Sequence, residues 1–367
     1  MAVPPKCTNG DPVYTYDALN RVVTMTSPAG VTEYVYDSTS GRLSKIISPE
    51  DDEYTFGYDH GQLDTIGRPN GIATHYTFDD NGNLTLMDHR LGASSLRSFA
   101  YTYDANGMRT DMTDNDGAHD YYYDTLYQIT EATHPTVGNP PETFTYDAVG
   151  NRTGGNYSHN SVNRMLADND GYAYEYDADG NMTAKIDKIS RDTTKYTWSI
   201  ENRLTKVERP DGDIVEYVYG PLGRRLRKVH NGLAKEYRYD GEDLILEMNP
   251  QDTILASYTF GPGIDQPLAM KRGNNAYYYL QDGLGSVSAI INSTGAVVQE
   301  YRYSVFGKIV EQLGDSIENS FTYTGRELIM SYDDELVFNK IVFSQYREST
   351  GCRVRGGPLR LRRALPG

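Results

Sequence analysis

The chain has 367 residues, a formal net charge of −16 and 38% hydrophobic residues, with 32 Tyr and 35 Gly. The acidic charge argues against nucleic acid as the main partner, because phosphate binding needs a clustered positive face. The composition also argues against a membrane span, since no stretch approaches the roughly 20 apolar residues that one requires. No signal peptide is visible, because the first residues lack an apolar core of the necessary length. Cys7 and Cys352 are too few and too distant for a disulfide framework.

After a lead-in at residues 1–13, an internal repeat of about twenty residues organises the chain from residue 14 to residue 327. Its clearest copy, Tyr174-Glu-Tyr-Asp-Ala-Asp-Gly-Asn-Met182, has the pattern aromatic-x-aromatic-Asp-x-x-Gly-Asn/Arg-hydrophobic. The aromatic residue at the third position, here called the anchor, recurs fourteen times with gaps of 19 to 30 residues. The anchors are Tyr16, Tyr36, Tyr58, Phe78, Tyr103, Tyr123, Tyr146, Tyr176, Trp198, Tyr219, Tyr239, Phe260, Tyr279 and Tyr303. Such spacing is typical of a repeat array.

Each repeat predicts a β-hairpin. In residues 34–53 an alternating segment, Tyr34-Val-Tyr36, precedes a turn at 38–41, an extended run at 42–47 and a second turn at 48–52. Helical periodicity is nowhere sustained, so we expect an all-β fold. Fourteen hairpins supply about 28 strands, which at ~4.8 Å spacing would form a flat ribbon about 130 Å wide. Because twist accumulates beyond ~10 strands, we predict a long strip of tandem hairpins coiled around an interior space.

The repeated residues have separate physical roles. The two aromatic rings of each copy share one face of a strand, and the Asp and Gly suit the turn that comes next. The next polar residue either bridges to a neighbouring turn or is simply solvated, and both alternatives stay open. The examples are Arg42, Asn83, Asn151, Asn181 and Arg224. The longest gap, after Tyr146, is rich in Gly and Asn and predicts a surface insertion.

The sequence offers no catalytic, cofactor-binding or metal-binding residues that we would select, and we expect no cofactor and no enzymatic activity. The seven histidines are scattered without metal-ligand spacing. The acidic stretches 168–171 and 177–181 resemble short calcium loops but lack the longer ligand series, so turn chemistry explains them better. A surface rich in Tyr, Asn and Asp would also suit sugars. A cell-surface module that binds glycans, resembling an adhesin, is therefore the alternative function.

The repeats resemble the YD repeats of RHS proteins, which include bacterial polymorphic toxins, toxin-complex components and teneurins. Three later segments make the resemblance specific: residues 278–287 (YYLQDGLGSV), 295–307 (GAVVQEYRYSVFG) and 321–327 (FTYTGRE). They match, in order, the end of the RHS core, and we call residues 277–327 the end segment. The resemblance implies a strip that spirals into a hollow β-cocoon. It also implies a non-catalytic shell that encloses or presents a C-terminal toxin or effector, and a secreted or cell-surface location.

The tail at residues 328–367 departs from that family pattern. The closing motif expected after Glu327 is absent, and five arginines occur between Arg353 and Arg363. A back-translation of this tail, shifted by one frame, can yield a sequence similar to the family's closing DPLGFxGG. We therefore expect either a frameshift after Glu327 or a variable, disordered tail, and we expect the chain to lack the effector itself.

Overall fold

The computed structural model describes residues 11–135, 140–315 and 317–327. Within them lie 31 strands in sheets of 13, two and 16 strands, and inside each sheet every strand pairs with its neighbours in sequence. The first sheet contains β1 (Val13–Tyr16), β2 (Val22–Ser27), β3 (Gly30–Tyr36), β4 (Leu43–Ile47), β5 (Glu53–Asp59), β6 (Gln62–Gly67), β7 (Ile72–Phe78), β8 (Leu84–Leu91), β9 (Ser94–Tyr103), β10 (Arg109–Thr113), β11 (Ala118–Tyr123), β12 (Ile129–Thr133) and β13 (Glu142–Thr143). The second contains β14 (Thr145–Tyr146) and β15 (Arg152–Thr153).

The third sheet carries the remaining repeats. It contains β16 (Ser158–His159), β17 (Met165–Ala167), β18 (Tyr172–Tyr176), β19 (Met182–Asp187), β20 (Thr193–Trp198), β21 (Leu204–Glu208), β22 (Ile214–Tyr219), β23 (Arg225–His230), β24 (Leu233–Asp240), β25 (Asp243–Met248), β26 (Ile254–Phe260), β27 (Pro267–Arg272), β28 (Asn275–Gln281), β29 (Val287–Asn292), β30 (Val297–Tyr303) and β31 (Ile309–Gly314). One 3₁₀ turn lies beyond them at Tyr323–Gly325. The all-β hairpin prediction is confirmed.

The predicted surface insertion coincides with the interruption between the two long sheets. Short strands β14 to β17 occupy this region, and Gly154 and Gly155 lie between β15 and β16. The strand that leads to Tyr146 is divided into β13 and β14, and the gap that follows holds the additional strands β16 and β17, so the described residues hold 31 strands where the sequence predicted about 28. The proposed boundaries at 1–13, 14–327 and 328–367 stay predictions, since residues 1–10 and 328–367, with the expected frameshifted tail, lie outside the described residues.

In many repeats an aspartate closes the turn. At Asp104, one carboxylate oxygen accepts the backbone N–H groups of Asn106 and Met108, both at 2.8 Å. Gly107 takes a positive φ of 79° and donates its N–H to the Asp104 carbonyl at 3.0 Å. A non-glycine residue is strained in this left-handed region, which explains the fixed Asp-x-x-Gly spacing.

At half of the fourteen anchors, the polar tip of the aromatic ring donates a hydrogen bond that joins successive hairpins. The Tyr103 hydroxyl donates to the Leu84 carbonyl at 2.7 Å, and the Tyr303 hydroxyl donates to the Val287 carbonyl at 2.7 Å. At Trp198 the indole N–H makes the equivalent bond. A register shift in the strand pairing occurs beside each of these three anchors. A ring with a donor at its far end satisfies a carbonyl and packs at the same time, which accounts for the excess of Tyr over Phe.

The polar residue after the turn makes a hydrogen bond to a neighbouring turn at two of the five positions, and at Arg224 it makes an ion pair with one. Buried Asn151 and Asn181 donate to the amide oxygens of Asn163 and Asn202, at 3.1 and 2.8 Å. Asn83 instead bonds within its own turn. Arg42 lies over the Tyr58 ring, and Arg224 lies 3.7 Å from Glu242. The bridging alternative is thus confirmed for Asn151, Asn181 and Arg224.

Candidate functional site

The end segment packs between two hydrophobic layers. On β28, Tyr278 and Leu280 join a buried cluster with residues of the first sheet such as Ile66. Tyr279 points the opposite way and joins a second cluster with Phe321, its ring centroid 6.2 Å from that of Phe321. Because alternate residues of a strand face opposite sides, consecutive buried residues mean that both faces are covered. The strip has therefore folded back so that its last repeats meet its first ones. We call the contact between the end segment and the first sheet the docking seam.

A chain of buried hydrogen bonds runs across the docking seam. Arg68 donates to the Thr74 hydroxyl at 2.7 Å and to the Tyr279 carbonyl at 3.1 Å. Thr74 lies 2.8 Å from Nδ1 of His89, and Nε2 of His89 lies 2.8 Å from the Gln281 carbonyl. The carbonyl can only accept, so Nε2 carries the proton and Nδ1 accepts from Thr74. Two carbonyls of β28 are thereby held by side chains of the first sheet.

The protonation of His89 is set by these contacts. Burial, together with the nearby Arg68 and Arg97, lowers the pKa of His89 to about 3, against the opposing effects of the bond to Gln281 and of Asp88. The imidazole is therefore neutral at physiological pH. A neutral ring with both nitrogens hydrogen-bonded connects the strands and has a structural role rather than an acid–base one.

A glycine permits the closest approach at the seam. The Gly283 N–H donates to the Tyr101 hydroxyl at 2.6 Å, and a Cβ on Gly283 would lie 2.7 Å from that oxygen. Next to it, Asp282 caps its own turn through the N–H groups of Leu284 and Ser286, and burial raises its pKa. The Arg109 guanidinium lies 4.1 Å from the centre of the Tyr101 ring and opposes that rise.

A second polar cluster fixes the last described residues. Glu247 is 1% exposed and accepts from the Tyr258 hydroxyl at 2.7 Å, from Arg272 at 3.1 Å and from Ser320. Burial by itself raises the pKa of Glu247, but Lys235 and Arg272 outweigh it and lower the value to about 2. The carboxylate is thus ionised and ties residue 320 to β25 and β27.

Glu327, the final described residue, is fixed in a similar way. Its carboxylate contacts the buried Arg225 guanidinium and accepts from the Tyr239 hydroxyl at 3.2 Å. The Arg225 guanidinium in turn lies 4.4 Å from the centre of the Tyr237 ring. The chain therefore reaches residue 327 on the side of the sheet that carries the buried tyrosines.

The acidic turns that resembled calcium loops use their carboxylates within the turn. Asp177 accepts from the backbone and side-chain nitrogens of Asn181, at 2.8 and 2.9 Å. Asp168 accepts from the backbone N–H of Tyr172 and from the Tyr174 hydroxyl. Across the described ranges, no group of three His, Cys, Asp or Glu residues is arranged to hold a metal ion. No helix in the same ranges is long and apolar enough to cross a membrane.

The sequence predicted no site residues, and it did not predict the contacts of the docking seam. Arg68 and its partner carbonyl are 211 residues apart, and His89 and its partner carbonyl are 192 apart, so local patterns carry no signal for them. Asp282 and Gly283 do belong to the motif at residues 278–287, which resembles part of the RHS core. Their position at the seam gives that motif a physical role.

A strip of tandem hairpins wound back onto its own end segment defines the chain as a β-shell protein. A family model, the Teneurin YD-shell, matches residues 108–329, and the chain belongs to that family. The resemblance to RHS/YD-repeat proteins is thereby confirmed.

Relatives and solved structures agree with this assignment. The chain is 28% identical over 345 residues to the tRNA3(Ser)-specific nuclease WapA of Bacillus spizizenii, covering 88% of this chain and 14% of the relative. It is 25% identical over 345 residues to the double-stranded DNA deaminase toxin A of Burkholderia cenocepacia, covering 82% and 24%. The crystal structure of TcdB2-TccC3 shares the fold, with a TM-score of 0.66 at 18% identity over 86% of this chain and 19% of that one.

Proposed function

We propose that this chain is a non-catalytic part of a β-shell that encloses or presents a C-terminal effector. The observation that carries the proposal is the docked end segment, in which β28 is buried on both faces. Because the last repeats of the strip pack against its first sheet, the strip can form the wall of a shell. The fixed Glu327 would lead an attached effector toward the face of the buried tyrosines.

The use of the buried polar groups supports a structural role. Arg68, His89 and Glu247 are the kinds of side chain that catalysis employs, yet each is engaged in holding strands together. Burying such groups is costly unless they are paired, so their networks define one arrangement of the strip. Rigid closure is what a container requires.

The activities named for the relatives would then belong to other parts of those proteins. This chain covers only 14% of the nuclease and 24% of the deaminase toxin, which leaves most of each protein outside the similarity. On this proposal, the partner of the shell is an effector attached after residue 327. A secreted or cell-surface location belongs to the same proposal.

A fusion experiment tests containment. A small reporter nuclease is joined after Glu327, and the matched control carries the same reporter before residue 11. We expect the first fusion to show lower activity and slower proteolysis of the reporter than the control. Disruption of the wall by Leu280→Asp should restore activity, because a charge at this buried position breaks the layer. Equal activity and equal proteolysis in the two fusions would count against a shell.

A further inference from the structure

A cavity of about 120 Å³ lies at the docking seam, where the first sheet meets the end segment. Its apolar wall comes from both sides of the seam: Phe99 and Ile129 belong to the first sheet, and Leu284 and Val305 belong to the end segment. An apolar cavity of about 150 Å³ accommodates one benzene molecule. The space at the seam therefore suits a molecule about the size of a single ring or a short aliphatic chain.

Three buried nitrogen atoms in the wall of this cavity have no hydrogen-bond partner among the described residues. They are Nε of Arg97, Nε of Arg109 and Nε2 of His119, on residues that are 7%, 5% and 9% exposed. A buried polar group without a partner costs free energy, so these atoms call for a partner inside the cavity. An arginine N–H can only donate, and whatever satisfies the two arginines must therefore present an acceptor.

Two of the three arginines that line the cavity already have a counter-charge. Arg97 lies 3.3 Å from Glu300, and Arg302 lies 2.9 Å from Asp116. These ion pairs neutralise the two guanidinium groups at the rim of the seam. The third arginine, Arg109, differs from them.

Arg109 is a buried cation without a contacting carboxylate. Within the described ranges, no carboxylate oxygen lies within 4.0 Å of its guanidinium, which instead stacks on the Tyr101 ring. Asp282 also lines the cavity, but it accepts the N–H groups of Leu284 and Ser286 in its own turn. A buried charge is costly unless it is paired, so an anion beside Arg109 would stabilise the wall.

We propose that the seam cavity binds a small carboxylate with an apolar body. The carboxylate oxygens accept from Arg109 and Arg97, and the ring or chain packs against Ile129 and Leu284. Hydrogen bonds from a guanidinium to a carboxylate are among the strongest in proteins. Because the wall comes from both sides of the seam, the bound molecule bridges them and stabilises the closed strip. The site belongs to the wall alone and is independent of whether an effector is enclosed.

Binding of 4-fluorobenzoate to the whole chain, followed by fluorine NMR, tests the proposal. We expect saturable binding of one molecule per chain. The neutral isostere 4-fluorobenzamide and the cation 4-fluorobenzylamine should bind at least about tenfold more weakly, because each lacks the charge that Arg109 needs. Hydrogen exchange at residues 300–310 should slow with occupancy, by about a hundredfold at a ligand concentration of about 100 Kd.

Two variants locate the binding in the cavity. Arg109→Gln removes the unpaired cation and should weaken binding of 4-fluorobenzoate by about tenfold or more. Ile129→Phe keeps every charge and fills the space with a larger side chain, so it should weaken binding to a similar extent. The matched control, Arg227→Gln, changes an exposed arginine of β23 and should bind like the unaltered chain.

Three outcomes would overturn the proposal. They are the absence of saturable binding of 4-fluorobenzoate, equal affinity for the acid and the amide, and binding that neither variant weakens. Should Arg109→Gln fail to fold, the Ile129→Phe variant and the ratio of acid to amide affinity in the unaltered chain still decide. Binding that leaves exchange at residues 300–310 unchanged would place the molecule elsewhere and refute the seam site.

Discussion

Acidification should weaken the fold through His89, and the structure gives the size of the effect. The pKa of His89 is lowered from 6.5 to about 3 in the folded chain. The unfolded chain therefore binds a proton first as the pH falls, so this stabilisation is complete above pH 6.5 and is lost progressively toward pH 3. Linkage over that interval predicts a loss of about 2 kcal/mol between pH 7 and pH 5.

The assay is urea unfolding at the two pH values, compared with the variant His89→Gln. At pH 7 the variant should be less stable by about 1–2 kcal/mol, because its amide replaces the ring imperfectly between Thr74 and Gln281. Between pH 7 and pH 5 this difference should shift by about 2 kcal/mol in favour of the variant, which abolishes or reverses it. For a slope near 3 kcal/mol per M, this corresponds to a relative shift of about 0.7 M in the urea midpoint.

The comparison isolates His89 from other titrating groups. Groups such as Glu247, whose pKa is lowered to about 2, are present in both proteins and cancel. The control variant His75→Gln, at an exposed position, should keep the full acid response. If the difference between the unaltered chain and His89→Gln is the same at pH 7 and pH 5, the buried, neutral assignment of His89 is wrong.

Three further substitutions test the repeat and the seam by urea unfolding. Tyr303→Phe removes one hydroxyl bond to a backbone carbonyl and should cost about 1 kcal/mol. Gly283→Ala places a methyl group 2.7 Å from the Tyr101 hydroxyl oxygen. It should cost about 1–3 kcal/mol by overpacking. Glu247→Gln keeps the shape but leaves two cations without their buried partner, which should cost about 3–5 kcal/mol. The charged Glu247 stabilises the fold above pH 4.5, so the penalty should fade as the pH drops toward 2.

Each of these substitutions has a matched control in the same chain. Tyr122→Phe alters an exposed ring, and Gly57→Ala adds a methyl group with ordinary contact at 3.4 Å. Glu318→Gln alters an exposed partner of the same cations as Glu247. All three controls should change stability by less than about 1 kcal/mol. A control as damaging as its counterpart would refute the corresponding contact.

The glycan alternative is tested separately by array binding of the isolated chain. The structure buries many tyrosine rings of the repeat, as at Tyr101 and Tyr217, while Tyr16 and Tyr122 remain exposed. Specific, saturable binding that is lost in Tyr16→Ala or Tyr122→Ala would favour the binding module. The absence of nucleic acid as a partner, expected from the charge, also stays a prediction.

The local design of the repeat was readable from the sequence because its signals are short-range. Asp104 and Gly107 lie within one turn, and the pair Tyr101 and Tyr103 lies on one strand. Period-two alternation and turn chemistry act over a few residues, so the all-β hairpin strip could be predicted directly. The resemblance to RHS proteins allowed the shell fold to be predicted as well. It included residues 278–287 but gave no physical reason for their role.

Only the tertiary structure decided how the strip closes on itself. The partners at the seam, such as Arg68 with Tyr279 or Glu142 with Val305, come from distant repeats, and no local pattern fixes which repeats meet. That choice depends on accumulated twist and on the burial of both faces of β28. The accumulated twist and the burial of both faces of β28 are not encoded in any single repeat, because the repeat motif is similar in every hairpin and does not specify which hairpins will be in contact.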